Sequence, residues 1–117
     1  MSLTKNELLG FCNRRFDVVD LGDGAKVRIQ SLTQEEIARH NLMMLDKKGQ
    51  VSQAGLMAAE RLYVAMALVD DQGNRLLTDD EAGELAKLDG GVFQKIAQAA
   101  RRLTDRDAVT VEAMLGN

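Results

Sequence analysis

The run Leu62-Tyr63-Val64-Ala65-Met66-Ala67-Leu68-Val69 constrains this chain more than any other segment, because it ends a helical pattern and is apolar on every side. A helix with no polar face has to be enclosed by the rest of the protein. The pattern predicts a central helix over 52–69, and every other element becomes a candidate cover for it. The cover must be built from small side chains, since apolar residues make up 45% of the chain and aromatic ones only 3%. That balance favours aliphatic helices rich in Ala and Met, packed at close range. No proline interrupts them, so the ten glycines do the punctuating. A chain of 117 residues fits one domain, and by size scaling it buries roughly two-thirds of its unfolded surface.

Helix starts are marked by a recurrent phrase, Leu-Thr-x-x-acid, at Leu3-Thr4 to Glu7, Leu32-Thr33 to Glu36, Leu77-Thr78 to Glu81 and Leu103-Thr104 to Asp107. The first three are capping boxes, in which Thr accepts from the third helical amide while Glu reaches back to the Thr amide. Leu3 with Leu8, and Leu32 with Ile37, stand where a hydrophobic staple would close. The spacing between the phrases is irregular, so this is capping grammar and not a solenoid repeat.

Between the first two boxes the rhythm changes to alternation. Phe16 to Asp20, the tip Gly22-Asp23-Gly24, and Ala25 to Gln30 read as a β-hairpin, with Val27 and Ile29 on an apolar face and Lys26, Arg28 and Gln30 on a wet one. A lone hairpin is marginal in water and must pack on helices. The expected fold class is therefore mostly α, formally α+β, with an N-terminal β-hairpin packed on a bundle of about four helices. Residues 1–15 form a helical arm. Residues 16–104 form one globular domain, with the hairpin at 16–30 and helices at 34–47, 52–69, 79–88 and 92–103. On the last helix Val92 or Phe93, Ile96, Ala100 and Leu103 face inward. Residues 105–117 alternate weakly and are expected to be a tail that frays or orders on a partner.

Asp70 to Glu81 has the length of a calcium loop, with Asp70, Gln72, Asn74 and Glu81 at ligand positions. It fails as one because the sharp turn needs glycine at the sixth position, where Arg75 stands, while Gly73 sits at the fourth. The segment reads instead as a tight turn leading into the third capped helix. Catalysis finds no foothold either. His40 is the one histidine and has a single nearby carboxylate, Glu36, with no nucleophile at helical spacing. Cys12, the one cysteine, lies near Arg14 and Arg15 but has no base beside it, and is expected to be a small buried hydrophobe. Gly22-Asp23-Gly24 and Gly90-Gly91 are too short for phosphate loops. The chain reads as a non-enzyme without cofactor or metal. No apolar run approaches the eighteen or so residues of a membrane span, and no signal peptide opens the chain, so a soluble intracellular protein is expected.

A net charge of −3 gives the whole molecule no attraction for nucleic acid. The one DNA-binding outline is a helix-turn-helix-like segment at 79–103. Its second helix starts with Val92, Phe93, Gln94 and Lys95 where base-reading residues belong, and an acidic segment precedes it. That acidic segment, with Asp79, Asp80 and Glu84, and the basic helix after it, with Lys95, Arg101 and Arg102, form opposite patches around Phe93. These seven residues are the candidate surface for a partner or for self-association.

The order of signals is a charged hairpin, Leu32-Thr33-x-x-Glu36, an apolar helix ending Leu68-Val69-Asp70-Asp71-Gln72-Gly73, then Leu76-Leu77-Thr78 and an amphipathic helix. It resembles the tail assembly chaperones of long-tailed bacteriophages and prophages over residues 16–103. The resemblance implies a protein that binds the long helical tape measure protein and keeps it soluble until tail-tube subunits polymerise around it. It also implies contact with the tail-tube protein, homo-oligomer formation, a place in the host cytoplasm and absence from the mature virion. Met43, Met44, Met57 and Met66 supply the adaptable apolar side chains that such binding uses. The alternative is a small DNA-binding regulator that uses 79–103.

Overall fold

The computed structural model describes residues 2–11 and 13–115, with side-chain surroundings as far as Asp105. Cys12 and the side chains of the expected tail beyond Asp105 lie outside the described residues. The capping phrases fold as their chemistry dictates. Thr4 and Glu7 close a complete box before α1 (Lys5–Leu9), and Thr33 and Glu36 close another before α2 (Gln34–Met43). Thr78 and Glu81 face each other in the same way, with the Glu81 carboxylate accepting the Thr78 amide at 2.9 Å. The fourth phrase does not start a helix. Leu103 and Thr104 lie inside α4 (Gly90–Leu115), and the Thr104 hydroxyl accepts the Leu32 amide at 3.1 Å.

The hairpin forms from β1 (Phe16–Gly22) and β2 (Ala25–Gln30), antiparallel, with Phe16 opposite Gln30 and a bulge between Asp20 and Gly22. Its tip holds Gly22, Asp23 and Gly24 at φ of 97°, 54° and 80°. This left-handed stretch is the reason for two glycines and an aspartate there.

The central helix is where expectation and structure part. α3 (Gln53–Ala67) stops two residues before Val69, and Leu68–Val69 becomes β3, antiparallel to β2 with Arg28 opposite Val69. The sheet order is β1-β2-β3, which makes β2 the middle strand. That position explains Gln30, which was expected on a wet face yet is buried. Its side-chain amide donates at 2.9 Å to the carbonyl of Met66, one of the acceptors left over where α3 ends.

Other boundaries shift for local reasons. α2 ends at Met43 and not at 47, because the chain turns back: Leu45 bridges Val51, and the Asp46 carboxylate takes the amides of Lys48 and Gln50 at 2.8 and 3.0 Å. Residues 79–87 form a 3-10 helix (Asp79–Lys87) in place of an α-helix. Three residues per turn put Ala82, Leu85 and Leu88 in one line, and the first two are buried. α4 begins at Gly90, capped by the Asp89 carboxylate on the amides of Gly91 and Val92 at 3.0 and 3.1 Å. It runs past the expected end at 103, with neither glycine nor proline between Val92 and Leu115 to stop it.

The core gathers around α3. Leu62 to Val69 are all buried, enclosed by Val19 and Ile29 of the sheet, Leu32 before α2, Ala82 and Leu85 of the 3-10 helix, and Ile96, Ala97, Ala100 and Leu103 of α4. The α4 stripe is the one its periodicity predicts. Met66 is fully buried and belongs to this core, whereas Met43 and Met57 stand exposed. The result is an α+β protein in which a short three-stranded sheet covers part of a helical core.

Candidate functional site

The Asp70 carboxylate accepts the amides of Gln72 and Asn74, each at 2.9 Å, while Gly73 supplies φ of 84° and its amide bonds the Asp70 carbonyl at 3.0 Å. Asp46 to Gln50 repeats the arrangement, with Gly49 at φ of 78°. Both segments are Asp-x-x-Gly-x hairpin turns, so Asp70 is committed to its own backbone. Among the described residues no group of three or more His, Cys, Asp or Glu is arranged to hold a metal ion. His40 lies half-buried, edge-on to Tyr63 with ring centroids 5.2 Å apart.

The two charged patches are partly consumed inside the molecule. Asp79 receives Arg75, four residues before it, at 2.7 Å and Arg39, on α2, at 3.2 and 3.3 Å. The Arg75 hydrogen bond, opposed by partial burial and reinforced by Arg39, holds the Asp79 carboxyl below its usual range. Arg101 turns to α3, 3.7 Å from Glu60 and with its guanidinium 5.7 Å from the Tyr63 ring centre. Asp79 and Arg101 therefore tie elements together. Glu84 forms an exposed pair with Lys87 at 3.0 Å, an interaction worth little in water. Asp80, Lys95 and Arg102 are exposed and make no ion pair among the described residues.

Phe93 has a different setting. It is half-buried on the wall of a cleft of about 300 Å³ between α3, the 3-10 helix and the start of α4. Met57, Leu85 and Leu88 complete the apolar lining, and Glu60 and Arg61 supply charge. Met57 and Leu88 are 50% and 40% exposed, so the cleft opens into accessible apolar surface. Leu56, on the same helix, Leu42 and Met43 at the end of α2, and Leu45 and Val51 flanking the turn that follows are exposed as well. Sequence reasoning singled out Phe93 and Met57 without joining them. The signal that joins them is the three-residue spacing of Ala82, Leu85 and Leu88, which is that of a 3-10 face and places the last leucine at the cleft.

This geometry does not make a helix-turn-helix reader. The first element is a 3-10 helix carrying Asp79, Asp80, Glu81 and Glu84, and Arg101 is held against α3. It does make an apolar surface of the kind that takes another protein segment. Among the described residues no helix is long and apolar enough to cross a membrane.

No protein-family model matches the chain, and no curated protein matches it in sequence. Its structure is similar to that of the bacteriophage HK97 tail assembly chaperone, with a TM-score of 0.60 over 77% of this chain and 85% of that chain, at 17% sequence identity. The two chains share a fold.

Proposed function

We propose that this protein is a tail assembly chaperone of a long-tailed phage or prophage, which binds the tape measure protein and keeps it soluble until tail-tube subunits polymerise around it. The likeness in fold to the HK97 tail assembly chaperone, over most of both chains, carries the reading. Because one fold can host many functions, the surface has to supply the chemistry. It offers an open apolar cleft and the exposed side chains of Met43, Met57, Leu42 and Leu56, which suit apolar positions spaced along a partner helix. The role is binding, without catalysis. Its setting is the host cytoplasm during assembly, with the tail-tube protein as a second partner and no place in the finished virion.

Co-expression with the tape measure protein of the same phage tests this. The expected result is a rise in soluble tape measure protein and a complex that co-purifies. Unchanged solubility with no complex refutes the reading. Asp80, Lys95 and Arg102 enter this test as charge reversals, expected to weaken the complex in a salt-dependent way, while Asp79 and Arg101 reversals are expected to lower stability first.

A further inference from the structure

The corner where α2 hands over to α3 carries an apolar patch whose members are gathered by local rules. The turn at Asp46 to Gln50 sets Leu45 opposite Val51 in an antiparallel bridge, which puts both side chains on one face. Val51 stands just before the Ser52 cap and Leu56 is the fourth residue of α3, the two positions of a hydrophobic staple. Leu42 joins them from the end of α2, its carbonyl accepting the Leu45 amide at 3.1 Å. Yet Leu42, Leu45, Val51 and Leu56 stay 67%, 40%, 59% and 43% exposed. Together they present on the order of 300–400 Å² of apolar surface, the size of the largest patch on an ordinary monomer, which is often functional.

The free charge beside this patch has one sign. Lys47 and Lys48, in the turn itself, are exposed and make no ion pair among the described residues. Asp46 turns its carboxylate onto the amides of Lys48 and Gln50, and Asn41, Gln50 and Gln53 are uncharged. We propose that this corner is where the partner docks, and that it takes an amphipathic helix whose apolar stripe is flanked by carboxylates. The helical form of the occupant rests on the chaperone reading above, and its charge rests on the two lysines. The chain's own N-terminal arm is apolar but has the wrong charge: its single acid, Glu7, is held by the Thr4 amide and hydroxyl, and Lys5 repeats the sign of the corner. An anionic membrane is drawn by clusters of about four to eight basic residues, more than the Lys47–Lys48 pair supplies on a chain of net charge −3.

Two fluorescent synthetic helices with the same leucine stripe, one flanked by glutamate and one by lysine, are titrated against the intact protein and followed by anisotropy. The glutamate helix is expected to bind about tenfold more tightly, and Lys47→Glu/Lys48→Glu to reverse that order. Leu42→Ser/Val51→Ser is expected to weaken binding by about tenfold, with the circular dichroism spectrum retained. Equal binding of the two helices overturns the proposal, as does an order that the lysine reversal leaves unchanged. Binding lost only in Met57→Ser/Leu88→Ser overturns it too, because the occupant then lies in the cleft beside Phe93. Sedimentation with phosphatidylserine vesicles that the lysine reversal abolishes assigns the corner to a membrane, and a dimer that Leu42→Ser/Val51→Ser dissociates assigns it to a second copy; either result overturns the proposal. In co-expression, a tape measure complex that survives Leu42→Ser/Val51→Ser removes the corner and leaves the chaperone reading standing. A glutamate helix held at the corner, with no tape measure complex at all, does the reverse.

Discussion

Replacing Arg14 by alanine removes two hydrogen bonds to Glu36 and one to the Ser31 carbonyl at 3.1 Å, and strips the partner from a side chain that is only 9% exposed in the intact protein. Stripping the partner from a buried ion pair costs about 3–5 kcal/mol. Two features reduce that figure here. Glu36 keeps the Thr33 amide at 2.9 Å, and the Arg14 side chain is 30% exposed, so solvent already screens its end of the pair. The expected loss is about 2 kcal/mol at neutral pH, read from urea unfolding followed by circular dichroism. The pH dependence makes the test sharper. Burial alone would raise the Glu36 carboxyl, but hydrogen bonds from Arg14 and Thr33, with the Arg14 charge, more than reverse it and hold it below the ordinary 4.5. A depressed folded pKa contributes stability above the unfolded value, and that stability is lost as pH falls through the folded one. In the alanine variant burial is no longer outweighed by Arg14, so its carboxyl rises. The gap between wild type and variant should therefore shrink as pH is lowered from 7 toward about 3. A loss under about 0.5 kcal/mol at pH 7, or a gap that does not narrow in acid, refutes the reasoning.

Gly55 sits where a Cβ would come within 2.4 Å of the Met44 carbonyl oxygen, so Gly55→Ala should cost about 1–3 kcal/mol and lower the melting temperature. Gly83→Ala, with open space around the new methyl, should be neutral or slightly stabilising in the same melt. Gln30→Ala strands the Met66 carbonyl and is expected to cost about 1–3 kcal/mol, whereas Arg102→Ala, on an exposed face, should change unfolding by less than about 0.5 kcal/mol. Millimolar calcium should leave the melting temperature unchanged, while Asp70→Ala lowers stability by about 1 kcal/mol through its lost turn bonds. A calcium-dependent rise in the melting temperature refutes that assignment.

What the residues disclosed on their own were features fixed by near neighbours. The Thr33–Glu36 box, the Gly22-Asp23-Gly24 tip and the inward stripe of Ile96, Ala100 and Leu103 all depend on contacts within one turn or one helix face. What they hid depends on distant partners. Nothing in Leu62 to Val69 marks the change from helix to strand, since a run that is apolar all round has no period to lose. The change is set by the open backbone edge of β2. Gln30 looked solvated because the acceptor it serves belongs to another element. Gly55 carries no local mark in the sequence, and only the approach of the Met44 carbonyl shows why it is glycine. The candidate surface divides in the same way. Phe93 lies on the cleft, but Asp79 and Arg101 find partners in Arg39 and Glu60, each some forty positions away, and so serve the fold first.

The short strand after α3 has a consequence for how this architecture holds together. Pairing Arg28 with Val69 closes a loop of about forty residues, which by chain statistics costs about 3 kcal/mol in entropy before any constant is added. Two ladder pairs return about 1 kcal/mol per hydrogen bond, too little to hold that closure with a margin. Leu68 and Val69 are thus a strand only because α3 is already docked, its carbonyl end taken by Gln30 and its flanks filled by α4. The third strand is a dependent of helix packing, whereas β1 and β2 meet across one tight turn and need no docked helix to find each other.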